Sequence, residues 1–138
     1  MKNNKGFSLV ELIIVIAIMA ILVGVMAPQL IRYIEKTKES SDIQLLDTVR
    51  SAVTTAVMDP SVVTTDYVPA DGDLSAFTGD DAIGTAVKET LGGDSDYVLG
   101  QLKSAKAGES IEITFDSANG NKVTVTCGEL TVPQTSGE

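Results

Sequence analysis

From Phe7 to Ala27, within "GFSLVELIIVIAIMAILVGVMAPQ", only Ser8 and Glu11 are plainly polar. A run of about 20 such residues crosses a ~30 Å hydrocarbon core as a helix, so the chain is expected to pass through a membrane stage. The carboxylate is the anomaly in that run. An acid at the centre of a membrane helix costs about 2.5 to 3.5 kcal/mol on insertion scales and is usually paired and functional. Alternatively, Glu11 lies near the membrane surface, reaches headgroup water and favours the positive end of its helix.

The flanks narrow the reading. "MKNNK" supplies Lys2 and Lys5, as the charged start of a secretory signal does, but the apolar run exceeds the usual span of about 7 to 15 residues. The small-residue candidate "VMA" is followed at once by Pro28, a poor position for signal-peptidase cleavage. An ordinary single-pass anchor remains open, and Lys2 and Lys5 facing Arg32, Lys36 and Lys38 across the span leave its orientation undecided.

A length of 138 residues suits one domain, and the formal net charge of -9 is concentrated in its later part. Residues 1–38 carry five Lys/Arg and two Glu, whereas the remainder carries five Lys/Arg and seventeen Asp/Glu. An acidic head repels phosphate backbones and anionic headgroups, so no nucleic-acid partner is expected for it. With no His and one Cys, most hydrolytic and redox catalysis lacks its parts, and the chain reads as a non-enzyme without a cofactor.

In "DIQLLDTVRSAVTTAVMD", Leu45, Leu46, Val49, Ala52, Val53, Ala56 and Val57 recur at three- and four-residue steps, giving an amphipathic helix with one apolar stripe. Asp59 before Pro60 is the stop. A helix from Phe7 to about Met58 would be roughly 75 to 80 Å long, which exceeds what a small globule can use. Residues 59–79 read as a loop region, and "DDAIGTAVKETLGG" as a short helix with Gly92 just beyond it. "SIEITF" and "KVTVTC" alternate: Ile111, Ile113 and Phe115 share one face, as do Val123, Val125 and Cys127, with a hairpin at Asn119–Gly120. "ELTV" offers a third strand. The expected class is α+β: a long N-terminal helix whose apolar half protrudes and whose amphipathic half packs on a small antiparallel β-sheet head.

"KGFSLVELIIVIAIMAILVGVMAP" resembles the leader and N-terminal helix of type IV prepilins, the family of type IV pilus subunits and type II secretion pseudopilins. The resemblance covers about the first 30 residues, where charge, cut site, acid and apolar length occur in register. It implies a leader, residues 1–6, removed by a prepilin peptidase after Gly6, and an N-methylated Phe7 at the new terminus. Glu11 is then the acid that pairs with the N-terminus of a neighbouring subunit. Residues 7–28 are the transmembrane and filament-core helix, 29–58 its amphipathic half and 59–138 the head. Pro28 falls where many members carry proline. Lacking an amide hydrogen, it leaves the carbonyl of Gly24 without a donor, so Gly24 to Pro28 is the expected bend or helix break, melting locally when subunits pack.

Six head carboxylates, Asp71, Asp73, Asp80, Asp81, Asp94 and Asp96, are weak Ca²⁺ candidates, as some pseudopilins bind Ca²⁺ there. None has EF-hand spacing, and a solvated acidic surface is the preferred reading. Cys127 sits on an apolar strand face and behaves as a small hydrophobe. One cysteine rules out the intramolecular C-terminal disulfide of many pilins, so the chain resembles the disulfide-free pilins of many Gram-positive bacteria.

The resemblance implies a pilus subunit, a precursor in the cell membrane and then part of an extracellular filament for adhesion, motility or surface attachment. Its partners would be copies of itself, the prepilin peptidase and N-methyltransferase, and an assembly platform with its ATPase, since this chain has no phosphate-binding glycine loop. Alternatives are a type II secretion or competence pseudopilin, a minor pilin, and, in another class, an uncleaved membrane-anchored binding module.

Overall fold

A computed structural model describes residues 6–63 and 68–134. The lysines of the expected leader, Lys2 and Lys5, lie outside the described residues. Helix α1 occupies Leu9–Met58, and the chain divides into two compact units, Met1–Glu35 and Lys36–Glu138.

In the first unit α1 is apolar on every side. Its large side chains are exposed, from 73 % at Leu9 to 45 % at Ile34, and by length and composition the helix can cross a membrane. The helix is continuous through Gly24 and Pro28.

In the second unit α1 becomes one-sided, as the sequence periodicity requires. Leu46, Val49, Ala52, Val53 and Ala56 are buried, and Leu45 and Val57 pack at the margin. The helix stops after Met58 because Pro60 biases Asp59 away from helical geometry. Asp59 Oδ1 then accepts the Ser61 amide at 2.8 Å and the Ser61 hydroxyl at 2.6 Å, closing an Asx-type turn.

The sheet has four antiparallel strands in the order β1 (Gly72–Asp73), β2 (Glu112–Asp116), β3 (Lys122–Cys127) and β4 (Leu130–Val132). Ile113 pairs with Val125 and Phe115 with Val123, so the apolar residues of β2 and β3 fall on one face. That face, with Ile111, Leu130 and Val132, joins the α1 stripe in a single hydrophobic cluster. Between β3 and β4, Gly128 has φ 61° and a Cβ there would run into the backbone of Lys106 and Gly108, so the turn requires glycine.

Helix α2 covers Ala82–Leu91, with Asp81 as its N-cap and Gly92, at φ 79°, as its C-cap. Three local features differ from the sequence expectation. The region expected as loop contains β1 and a 3-10 turn at Leu74–Phe77, because Leu74 and Phe77, three residues apart, both enter the core. A five-residue helix, α3, forms at Ser95–Leu99 behind an Asp94 cap. The β2–β3 connection is longer than a two-residue hairpin: a 3-10 turn at Ser117–Asn119 precedes Gly120 and Asn121, both with positive φ.

Candidate functional site

The N-terminal constellation is built by the way α1 begins. Ser8 is the last residue before the helix, and its carbonyl accepts the Leu12 amide at 3.2 Å, the first intrahelical bond. Its hydroxyl accepts the Glu11 amide at 3.2 Å, while its own amide donates to Glu11 Oε2 at 3.2 Å. This reciprocal pair is a capping box, which satisfies two of the amides that a helix start leaves without partners. The sequence carries the signal as S-x-x-E, Ser8 to Glu11, and reading Glu11 only as an anomalous charge overlooks it.

In this chain the Phe7 nitrogen is a peptide amide and carries no charge, so Glu11 has no cation at that position. Its carboxylate caps its own helix instead. Phe7 is 94 % exposed. Gly6 is exposed too: a Cβ added there meets nothing within 4 Å, and its φ is outside the left-handed region. The local fold places no steric demand for glycine at this position. Gly24 has similar open space. Pro28 sits within the helix, and its missing N–H leaves the Gly24 carbonyl without the usual donor.

The acidic candidates in the head are mostly engaged in holding backbone. Asp71 Oδ1 accepts the Phe115 amide at 2.7 Å, and Asp73 accepts that of Ser75 at 2.9 Å. Asp81 accepts from Gly84 at 2.8 Å and Asp94 from Tyr97 at 3.0 Å. Asp80 faces Lys88 Nζ at 3.0 Å, and Asp96 is exposed in the first turn of α3. Among the described residues no group of three Cys, Asp or Glu side chains is placed to hold a metal ion.

A different carboxylate is central to the head. Asp42, on α1, is fully buried, and its oxygens accept the Lys103 amide at 2.9 and 3.1 Å and the Ser104 amide at 2.7 Å. Nearby, Glu39 meets Lys106 Nζ at 3.3 Å. Asp42 lies four residues before Leu46, on the line of the apolar stripe, and an acid in that position is the signal the sequence offers. Cys127 is buried and free, its Sγ 3.5 Å from the Gly108 carbonyl, and burial pushes its thiol above the usual range.

Comparison with known proteins bears on the same N-terminus. The family model described as the prokaryotic N-terminal methylation motif matches residues 1–27. A "Fimbrial protein" of Pseudomonas aeruginosa is 31 % identical over 71 residues, covering 51 % of this chain and 46 % of that protein. The "Type IV major fimbrial protein FimA" of Dichelobacter nodosus is 33 % identical over 88 residues, covering 59 % and 56 %. These matches support a type IV pilin family. The chain spans about half the length of the curated relatives it matches. No solved structure gives a significant match. The α+β arrangement, a long apolar N-terminal helix and a small antiparallel sheet, is consistent with a type IV pilin fold, and the relatives carry the names of fimbrial proteins.

Proposed function

We propose that this pilin-family chain is a structural subunit of a type IV pilus, processed after Gly6, N-methylated at Phe7 and polymerised through α1 into an extracellular filament. The observation that carries the reading is the methylation motif over residues 1–27 in register with an exposed Gly6–Phe7 bond and a helix whose first acid is Glu11.

Processing turns the Phe7 amide into an ammonium, and methylation leaves that amine able to carry charge. Glu11 of a neighbouring copy then gains a counter-ion inside an apolar helix bundle, where breaking a buried pair costs about 3 to 5 kcal/mol. The bundle itself is held by Ile, Leu, Val and Met side chains, each worth about 1.5 to 3 kcal/mol relative to water. Lipid solvates those side chains nearly as well, so leaving the membrane needs an ATPase and an assembly platform. In this scheme residues 1–6 are the leader, 7–28 the membrane and filament-core segment, 29–58 the amphipathic helix half and 59–138 the head. The precursor resides in the cell membrane and the product on the cell surface. Packing of subunits melts the helix between Gly24 and Pro28, where one backbone bond is already missing.

Intact-mass measurement of filaments sheared from cells tests the reading: the expected chain starts at N-methylated Phe7. A chain retaining Met1 to Gly6 at the cell surface would overturn it in favour of an uncleaved anchor. Filaments composed mainly of another subunit, with this chain at trace level, would assign it to minor pilins or pseudopilins.

A further inference from the structure

We propose that Ser8 is a positioning residue for processing: by capping α1 it holds the helix start at Leu9 and keeps the Gly6–Phe7 peptide bond outside the helix, open to a peptidase. The inference rests on the processing reading above and adds a residue to it.

The geometry has three parts. The Ser8 hydroxyl and amide are both committed to Glu11, at 3.2 Å each. Helical structure begins at Leu9, and Gly6, Phe7 and Ser8 are non-helical and exposed. A Cβ on Gly6 would have nothing within 4 Å, so the space beside the Gly6 Cα is open.

The chemistry explains why the helix start matters there. In hydrolysis the oxygen of water bonds to the Gly6 carbonyl carbon and the C–N bond to Phe7 breaks. Gly6 leaves as a carboxylate and the Phe7 nitrogen takes up both protons of the water, becoming an ammonium. If α1 extended back by three residues, the Gly6 carbonyl would accept a hydrogen bond from the Val10 amide and lie within the helix wall. Apolar surroundings favour that extension, because an amide without a partner costs several kcal/mol in lipid and adding turns moves the orphaned amides outward to headgroup water. The Ser8–Glu11 box weakens this drive by satisfying the Ser8 and Glu11 amides where they stand.

The test uses the full-length precursor reconstituted in phospholipid vesicles with purified prepilin peptidase, cleavage being followed by mass spectrometry. Ser8→Ala is expected to lower kcat/KM about five- to tenfold, the fold-change corresponding to loss of an N-cap. Ser8→Thr, which retains the capping hydroxyl, is expected to remain within about twofold of the parent. Amide hydrogen exchange supplies the readout that a general structural role would not move: protection should spread toward Phe7 in Ser8→Ala and stay at the parental boundary in Ser8→Thr. Parental cleavage of Ser8→Ala, or equal impairment of both variants, overturns the role of Ser8 while leaving processing intact. A parent chain that the peptidase never cuts after Gly6 overturns the processing reading and this inference with it.

Discussion

Asp42 on helix α1 accepts the Ser104 backbone amide at 2.7 Å, a bond between residues 62 positions apart. With two further contacts from the Lys103 amide, it ties the connection ahead of β2 to the amphipathic part of α1 through a fully buried carboxylate. Removing the acceptor strands buried amides, which costs about 1 to 3 kcal/mol, more where a charge is involved. Asp42→Ala is therefore expected to lower head stability by at least that amount in urea titrations followed by circular dichroism. Asp42→Asn retains one acceptor oxygen and should lose less.

The capping role of Glu11 and its proposed role in assembly separate by substitution. Glu11→Gln preserves an S-x-x-Q box but removes the charge, so the precursor should still be cut while surface filaments fall severalfold in sheared-fraction immunoblots. Glu11→Ala should also be cut, because the Ser8 hydroxyl still accepts the residue-11 amide, and should likewise fail to assemble. Parental filament yield from either variant contradicts the pairing of Glu11 with a subunit terminus.

Leu46 has no exposed surface, whereas its neighbour Leu45 is only partly buried. Leu46→Ala should cost about 2 to 5 kcal/mol, the range for emptying a packed core position, and Leu45→Ala clearly less. Thermal melts of the two variants measure the difference directly.

Four of the six candidate acids in the head, Asp71, Asp73, Asp81 and Asp94, accept backbone amides. Asp81→Ala removes the acceptor of the Gly84 amide and should cost about 1 kcal/mol. Millimolar Ca²⁺ should leave the melting temperature of the parent unchanged in a thermal-shift titration. A saturable rise that Asp71→Ala or Asp94→Ala abolishes would contradict this.

Two groups give opposite pH signatures. Burial raises the Cys127 thiol, and a backbone hydrogen bond at Gly108 partly opposes that shift. A raised folded value means that its contribution is complete below the ordinary thiol range and is lost as pH rises through the folded value. The melting-temperature gap between the parent and Cys127→Ala should therefore narrow at alkaline pH. Asp59 is lowered by its hydrogen bonds from Ser61. Its contribution is present above the ordinary carboxylate range and disappears as pH falls through the folded value, so the gap to Asp59→Asn should close in acid.

Strong periodicity makes an element legible in the chain itself. The stripe from Leu45 to Val57, the alternation in β2 and β3 and the Asp81–Gly92 bracket around α2 each repeat one local rule several times, and the fold follows them. Strand β1 and helix α3 are not legible in this way because two and five residues repeat nothing. Their identity comes from neighbours: Gly72 is a strand residue because it pairs with Ile113.

The N-terminal site divides in the same way. Basic residues, then glycine, aromatic residue and acid at fixed spacing from Lys5 to Glu11 are covalent facts, so the sequence alone marks the proposed cleavage bond and the acid that follows it in an apolar run. The start of α1 at Leu9 and the commitment of Glu11 to Ser8 belong to the folded chain, because hydrogen bonding selects among several possible starts. The sequence likewise determined that α1 has an apolar stripe facing a sheet. Only the tertiary structure decided that Asp42 belongs to that stripe, since burying a carboxylate is permitted only where the distant Lys103 and Ser104 amides arrive to satisfy it.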